Sequence, residues 1–434
     1  MDHWDSYRAK LRTAEEAVAP IQDGAFIVQS MAAGEPGALV EAIAARARAG
    51  SLRDVRMSAL IPMGASARSI FAPEVRGAIH WESFFVGGAD RALVASGEAL
   101  VIPAYFHQIP RLITDYMDVD VTLVSVSPMD DHGYMSLGVS VDLMPAAIKK
   151  ATYVVAQVNA AMPRVHGTGF VHISELDAVV EHDAPLPELA APAARPEDEA
   201  IGRIIAEMIP DGACIQLGIG GMPNGVARNL MDHRHLGIHT EMFVESMVDL
   251  ITSGVADGSR KTFHPGRAVY TFAAGTRRMY DFLDNNAAIE AHPVSYVNLP
   301  ANIAKNEGLV SVNSTMEIDL TGQCCSESIG TAQYSGTGGQ MDYARGAFDS
   351  PGGKSILAFY STAKSGTISR VVPTLTPGAV VTTPRTEVHW LVSEYGAANL
   401  KGKSTRERAL AIIGLAHPQF REELTNAART LRYI

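Results

Sequence analysis

Short apolar runs of strand length alternate with helix-patterned stretches along the whole chain. Residues 24–29, 55–61, 99–102, 119–126 and 151–158 are rich in Val, Ile, Leu and Ala, as strands buried on both faces are. Between the first two, Gly37-Ala-Leu-Val-Glu-Ala-Ile-Ala-Ala-Arg-Ala-Arg48 repeats its apolar positions at helical spacing. The alternation predicts βαβ units on a mostly parallel sheet. It is interrupted at 182–197, where four prolines and little periodicity predict an extended linker. An amphipathic helix is expected at 198–209, and the alternation then restarts with a strand at 213–217. Two α/β domains of similar size follow, 1–185 and 186–434. A cleft between domains is a preferred place for a ligand.

Composition narrows the picture by exclusion. With 47% hydrophobic and 19% charged residues the chain is globular. A formal charge of −11 without a basic stripe argues against a nucleic-acid partner. The three cysteines, Cys214, Cys324 and Cys325, form no CxxC pair, which points to a reducing compartment without structural zinc. The N-terminal residues have no signal-peptide core, and no run of about 18 apolar residues is present to span a membrane. The expected location is cytoplasmic.

Candidate chemistry concentrates in the second half. The strand at 213–217 opens into Gln216-Leu-Gly-Ile-Gly-Gly-Met-Pro-Asn224, a helix is expected at 224–230, and the next strand-like run ends at Glu241. Ligands collect beyond the carboxyl ends of strands in open α/β sheets. This edge therefore offers backbone N–H groups to an anion, and a carboxylate able to act as nucleophile or base. A second glycine cluster is Tyr334-Ser-Gly-Thr-Gly-Gly-Gln340. Gly218-Ile-Gly-Gly-Met-Pro223 fails the G-x-G-x-x-G fingerprint at its sixth place, which disfavours a nicotinamide-dependent dehydrogenase.

Other patterns compete. Ser361-Thr-Ala-Lys364 matches the S-x-x-K of serine acyl-enzymes but lacks that class's companion motifs. His233, His235 and His239 crowd like metal ligands, yet fall where histidines meet the last carbonyls of a helix. Glu245, four residues after Glu241, is expected on a helix surface or behind the site. On spacing alone Glu241 is equally readable as an N-terminal helix charge.

Taken in order, the blocks 211–223, 236–242, 311–323, 334–340, 352–354, 361–364, 394–396, 400–404 and 416–421, with 127–140 and 158–163 in the first half, resemble the acetyl-CoA hydrolase/transferase family of class I CoA-transferases. The likeness covers nearly the whole chain, and by length its nearest branch is the 4-hydroxybutyrate and butyryl-CoA:acetate CoA-transferases. It implies two homologous open, mostly parallel α/β domains with the active site in the cleft between them. Glu241 then matches the glutamate that becomes a glutamyl-CoA thioester. Gln216, Leu217, Gly218, Ile219 and Gly220 match the loop that binds coenzyme A. Met316, Gly338 or Gly339, and Lys364 fall at further CoA contacts, Met316 replacing an aliphatic residue. Backbone N–H groups of 218–221 and 336–339 would meet thioester oxygens.

The resemblance implies no metal and no tightly bound cofactor: coenzyme A enters as thioester substrate and covalent intermediate. It also implies small carboxylic acids as partners and a homodimer or homotetramer. Two departures bear on the substrate. Glu245-Ser246 stand where the family often has Asp-Gly, and Met31 stands where a smaller residue is usual. If Met31 lines the acyl pocket, a compact dicarboxylate such as itaconate or succinate joins 4-hydroxybutyrate, butyrate and acetate as acceptor; otherwise it is core. An acyl-CoA hydrolase is the same-chemistry alternative, and a non-catalytic CoA-binding regulator the alternative from another class.

Overall fold

The computed structural model describes residues 2–190, 192–218 and 220–434. They form two compact units, one of residues up to 190 together with 269–297, the other of 191–268 and 298–434.

The first unit is built on seven strands: β1 (Phe26–Gln29), β2 (Val55–Leu60), β3 (Ile79–Phe85), β4 (Ala99–Val101), β5 (Val121–Val126), β6 (Tyr153–Val158) and β7 (Ala178–Glu181). Their order is β7-β6-β5-β1-β2-β3-β4, and every neighbouring pair is parallel. All six residues of β5 are buried, because crossover elements cover both faces of a parallel sheet. Helix α1 (Gly37–Arg48) falls where its apolar spacing placed it, with Leu39, Val40, Ile43 and Ala47 turned inward. The strand β3 escapes a run-based reading because Ile-His-Trp-Glu-Ser-Phe-Phe mixes polar with apolar positions.

Residues 182–190 and 192–195 have no regular structure, and a helix takes over at Pro196, but the stretch is not loose. Asn159 Nδ2 donates to the Ala184 carbonyl at 2.8 Å, Leu189 N–H to that of Gly275 at 2.8 Å, and Leu186 is buried. The segment 269–297 lies inside 186–434 by chain position, yet it packs into the first unit. Val141 and Asp142 N–H donate to the Thr271 carbonyl, and Tyr270 Oη donates to that of Gly138 at 3.0 Å. Its run of buried residues gives no sign in sequence of which sheet it will join.

The second unit repeats the parallel theme with β8 (Cys214–Leu217), β9 (Gly237–Ile238), β10 (Val310–Ser314), β11 (Lys354–Ala358), β12 (Trp390–Ser393) and β13 (Gly396–Asn399), ordered β9-β8-β10-β11-β12-β13. Only β12 and β13 are antiparallel. Helices α2 (Pro196–Ala206), α3 (Gly221–Asn229), α4 (Glu245–Thr252) and α5 (Gln340–Asp349) accompany this sheet, followed by α6 (Thr405–Leu415) and α7 (Pro418–Thr430). A cluster including Ile318, Leu357, Phe359, Leu391, Ile412 and Leu415 joins the sheet to α6. Helices α2 and α3 approach closely because of glycine: a Cβ on Gly202 would lie 2.6 Å from the Gly225 backbone, and one on Gly225 2.4 Å from the Asp198 carbonyl. No helix among the described residues is long and apolar enough to cross a membrane.

Candidate active site

Parallel strands deliver their carboxyl ends to one edge, and the candidate residues of the second unit follow those ends. After β8 comes the glycine loop. Gln216 is buried and makes a reciprocal amide pair with Asn313 on β10, at 3.3 and 3.1 Å, while Leu217 is packed in the core. The two side chains hold the base of the loop. Gly218 N–H donates to the Val312 carbonyl at 2.9 Å, so one of the amides expected at thioester oxygens already extends the sheet. Ile219 lies outside the described residues. Gly220 adopts φ 118° with open space where a Cβ would stand, a backbone available to glycine, and it precedes α3. Gly221 is pressed against Asp198, whose Oδ2 lies 2.6 Å from the position of a Cβ.

Glu241 follows β9, whose ladder with β8 continues through His239 N–H to the Ile215 carbonyl at 3.1 Å. Helix α4 does not start there. Met242–Phe243 are extended, Val244 is the N-cap, and Glu245 is the first helical residue. The acid that complements the helix dipole is thus Glu245, and the helix-charge reading of Glu241 falls away.

Glu241 is gripped instead by two donors. Asn298 Nδ2 donates to Oε2 at 2.6 Å, and Gly339 N–H donates to the same carboxylate. Gly339 caps α5, and its missing side chain makes the approach possible: a Cβ would stand 1.8 Å from Oε2. Asp342, buried in the first turn of α5, brings Oδ2 to 3.4 Å from Asn298 Nδ2. Burial, with Asp342 adding to it, pushes the Glu241 carboxyl up to about 8 against the two hydrogen bonds. A carboxylate at such a value is easily neutralised. Two neighbours, Tyr343 Oη and Asn298 Oδ1, are buried without a hydrogen-bond partner among the described residues.

The remaining positions share the edge rather than the grip. Met316 is half-buried, its backbone fixed by the Cys325 carbonyl at 2.9 Å and by Arg370 Nη1 at 2.9 Å. Gly338 is buried with φ 54°. Its loop is tied by Tyr334 and Ser335 N–H to the Glu327 carbonyl, at 2.8 and 3.0 Å. Lys364 is exposed at φ 46° in the turn between Thr362–Ala363 and Ile368–Ser369. Ser361 Oγ donates to Glu394 at 2.5 Å, so the S-x-x-K serine is held by an acid while the lysine faces solvent. His233 Nε2 sits 2.9 Å from the Ile209 carbonyl, just past α2, and His235 Nδ1 2.8 Å from Asp257; these two serve separate local contacts. Met31 belongs to the first unit, where it is 1% exposed and its N–H donates to Ser140 Oγ at 3.1 Å.

Asn298 and Asp342 are the site residues that sequence reading missed. Asn298 lies 57 residues from Glu241, and neither sits in a motif whose spacing announces it. The signal within reach was the Gly-Gly pair at 338–339, since adjacent glycines mark backbone approaching something closely.

Fold and site together define a two-unit, mostly parallel α/β protein with a polar-gripped glutamate at a strand edge beside two glycine loops. The family models for the acetyl-CoA hydrolase/transferase N-terminal and C-terminal domains match residues 1–188 and 275–428. The chain belongs to the acetyl-CoA hydrolase/transferase family. It is 47% identical to a succinyl-CoA:cyclohexane-1-carboxylate CoA transferase of Geobacter metallireducens, over 99% of this chain and 97% of that one. It is 44% identical to a 4-hydroxybutyrate coenzyme A transferase of Clostridium kluyveri, over 98% and 99%. The crystal structure of RipA from Yersinia pestis is similar over 100% of both chains, with a TM-score of 0.96 and 45% identity.

Proposed function

We propose that the protein is an acyl-CoA:carboxylate CoA-transferase in which Glu241 carries coenzyme A covalently. The observation that carries this reading is the grip on the Glu241 carboxylate by two donors, Asn298 Nδ2 at Oε2 and Gly339 N–H, at a carboxyl pushed up to about 8. Oε1 is then the attacking oxygen. It adds to the thioester carbonyl of the donor and expels the CoA thiolate, leaving an acyl-glutamyl anhydride. The thiolate attacks the glutamyl carbonyl, the first acid departs, and a glutamyl-CoA thioester remains. An incoming carboxylate reverses these steps, which is ping-pong catalysis. In both tetrahedral species at the glutamyl carbon, negative charge develops on the oxygen that Asn298 Nδ2 already holds, and one such donor is worth about 3 kcal/mol.

Gln216 and Leu217 support the first glycine loop, and Gly220 with the start of α3 presents backbone to coenzyme A. Gly338, Met316 and Lys364 are further contacts to it in this reading. The donors and acceptors are small acids of the kinds in the relatives' names, succinate, 4-hydroxybutyrate, butyrate and acetate, with itaconate and a cyclic carboxylate to be included. The protein works as a cytoplasmic homodimer or homotetramer, which light scattering in solution tests.

The deciding experiment is mass spectrometry after incubation with acyl-CoA and no acceptor. A CoA adduct is expected on the Glu241 peptide and not in Glu241→Gln. An adduct on another residue, or full turnover by Glu241→Gln, would sink the reading. CoA release measured with and without added carboxylate separates transfer from hydrolysis: a rate independent of the acid would make the protein a hydrolase.

A further inference from the structure

The Asn298 amide stands between two acids, with Nδ2 2.6 Å from Glu241 Oε2 and 3.4 Å from Asp342 Oδ2. Carboxylates only accept hydrogen bonds, so both contacts select the orientation in which the amide nitrogen, not Oδ1, faces them. Oδ1 is buried and has no partner among the described residues, so none of them fixes the rotamer from that side. Asp342 also sits on the helix that Gly339 caps. The start of α5 thus supplies the N–H on Glu241, and the acid behind the amide on Glu241.

We propose that Asp342 is a positioning residue for transfer: it aims Asn298 Nδ2 at Glu241, and its negative charge favours the states in which Glu241 is uncharged. The proposal rests on the glutamyl-thioester reading above. Loading converts an anion into a neutral ester: E–COO⁻ + R–CO–SCoA → E–CO–SCoA + R–COO⁻. A glutamyl C–O bond to the acyl carbon forms as the donor C–S bond breaks. The thiolate then bonds the glutamyl carbon as its C–O bond breaks, and the acid leaves with the negative charge. No proton or further reactant is needed. A fixed negative charge beside Glu241 raises the energy of the carboxylate and not of the thioester, so it drives loading.

Among the described residues, the titratable groups that face this carboxyl are Asp342 and Tyr343, both on α5, with Cys214 of β8 facing Tyr343 in turn. Burial holds the Tyr343 phenol and the Cys214 thiol well above their ordinary values. Among these groups Asp342 is the negative charge that acts on Glu241, as its upward push on that carboxyl reflects.

A structural role is open to Asp342 as well, since an acid in the first turn of a helix complements its dipole. The test therefore reads what such a role does not move. Asp342→Asn, Asp342→Ser and Asp342→Glu are compared with the unmodified protein for the acid limb of kcat/KM against pH. They are also compared for the ratio of CoA-loaded to unloaded enzyme at a fixed ratio of acyl-CoA to acid. In the Asn and Ser variants the limb is expected to move to lower pH by about half a unit or more, and the loading ratio to fall about threefold. Asp342→Glu keeps the charge and is expected to keep the limb within ~0.2 unit at reduced kcat. An unmoved limb and unmoved loading in either neutral variant would overturn the proposal, however far kcat drops. Absence of any adduct on Glu241 in the unmodified protein would instead overturn the reading beneath it.

Discussion

Gly339 has a hydrogen where any other type of amino acid has a carbon. A Cβ there would stand 1.8 Å from Glu241 Oε2 and 2.3 Å from Asn298 Nδ2, so either the carboxylate or the amide must leave. Gly339→Ala is expected to lower kcat about a hundredfold, the scale of one lost oxyanion donor. Thermal unfolding should change far less, because the displaced groups can turn toward the site. Glu241 itself makes two pH predictions. A nucleophilic carboxylate must be ionised, so kcat/KM should rise with pH through about 8. For stability, the folded-state value lies above the ordinary 4.5, so the folded protein holds the extra proton between the two. Its contribution is present below about 4.5 and lost as pH rises through about 8. Glu241→Gln should therefore melt higher than the unmodified protein, by a few degrees, with the gap widening from pH 6 to 8.5; a gap that narrows refutes this. Met31, 1% exposed, should cost about 2–5 kcal/mol when truncated to Ala, read by urea unfolding.

At the scale of elements, the glycine loop depends on how the helices that follow and precede it pack together. Helices α2 and α3 cross where Gly202 and Gly225 let backbones touch, and Asp198 accepts from Arg195 N–H at 2.9 Å and from Tyr360 Oη at 2.7 Å. Gly225→Ala would force α3 away from α2 and carry the loop with it. An overpacking cost of about 1–3 kcal/mol is expected, with a raised KM for acyl-CoA; an unchanged KM in a destabilised variant would detach the loop from its helix. Helices α1 and α2 and five of the seven strands of the first sheet were legible, because α1 and the runs at β1, β2 and β5 declare their period in a few residues; β3, β7 and β10 to β13 were not. Glu241 and both glycine loops were legible as an edge. What the sequence hides is the partner across the site. A lone Asn or Asp has no period, so Asn298 and Asp342 emerge only when the fold brings 298 and 342 beside 241.

For the whole molecule, the notable fact is that neither unit is continuous. Segment 269–297 threads into the first unit, burying Val269, Tyr270, Phe272, Met279, Leu283 and Ile289. A fragment ending at residue 190 lacks that material and should be unfolded by circular dichroism. A fusion of 1–190 to 269–297 should restore a cooperative melt; a well-folded 1–190 would show the insert to be dispensable. Sequence could not anticipate this, since long-range return carries no local pattern.

The return has an end, and it falls at Asn298. The chain leaves the first unit at Val297 and re-enters the second with the residue that grips Glu241. A crossover between related genes after residue 241 and before 297 would therefore combine a first unit of mixed parentage with a nucleophile from one parent and its amide clamp from the other. Such hybrids inherit a mismatch at the chemistry itself, whereas exchanging 1–190 and 269–297 together leaves nucleophile and clamp from one lineage.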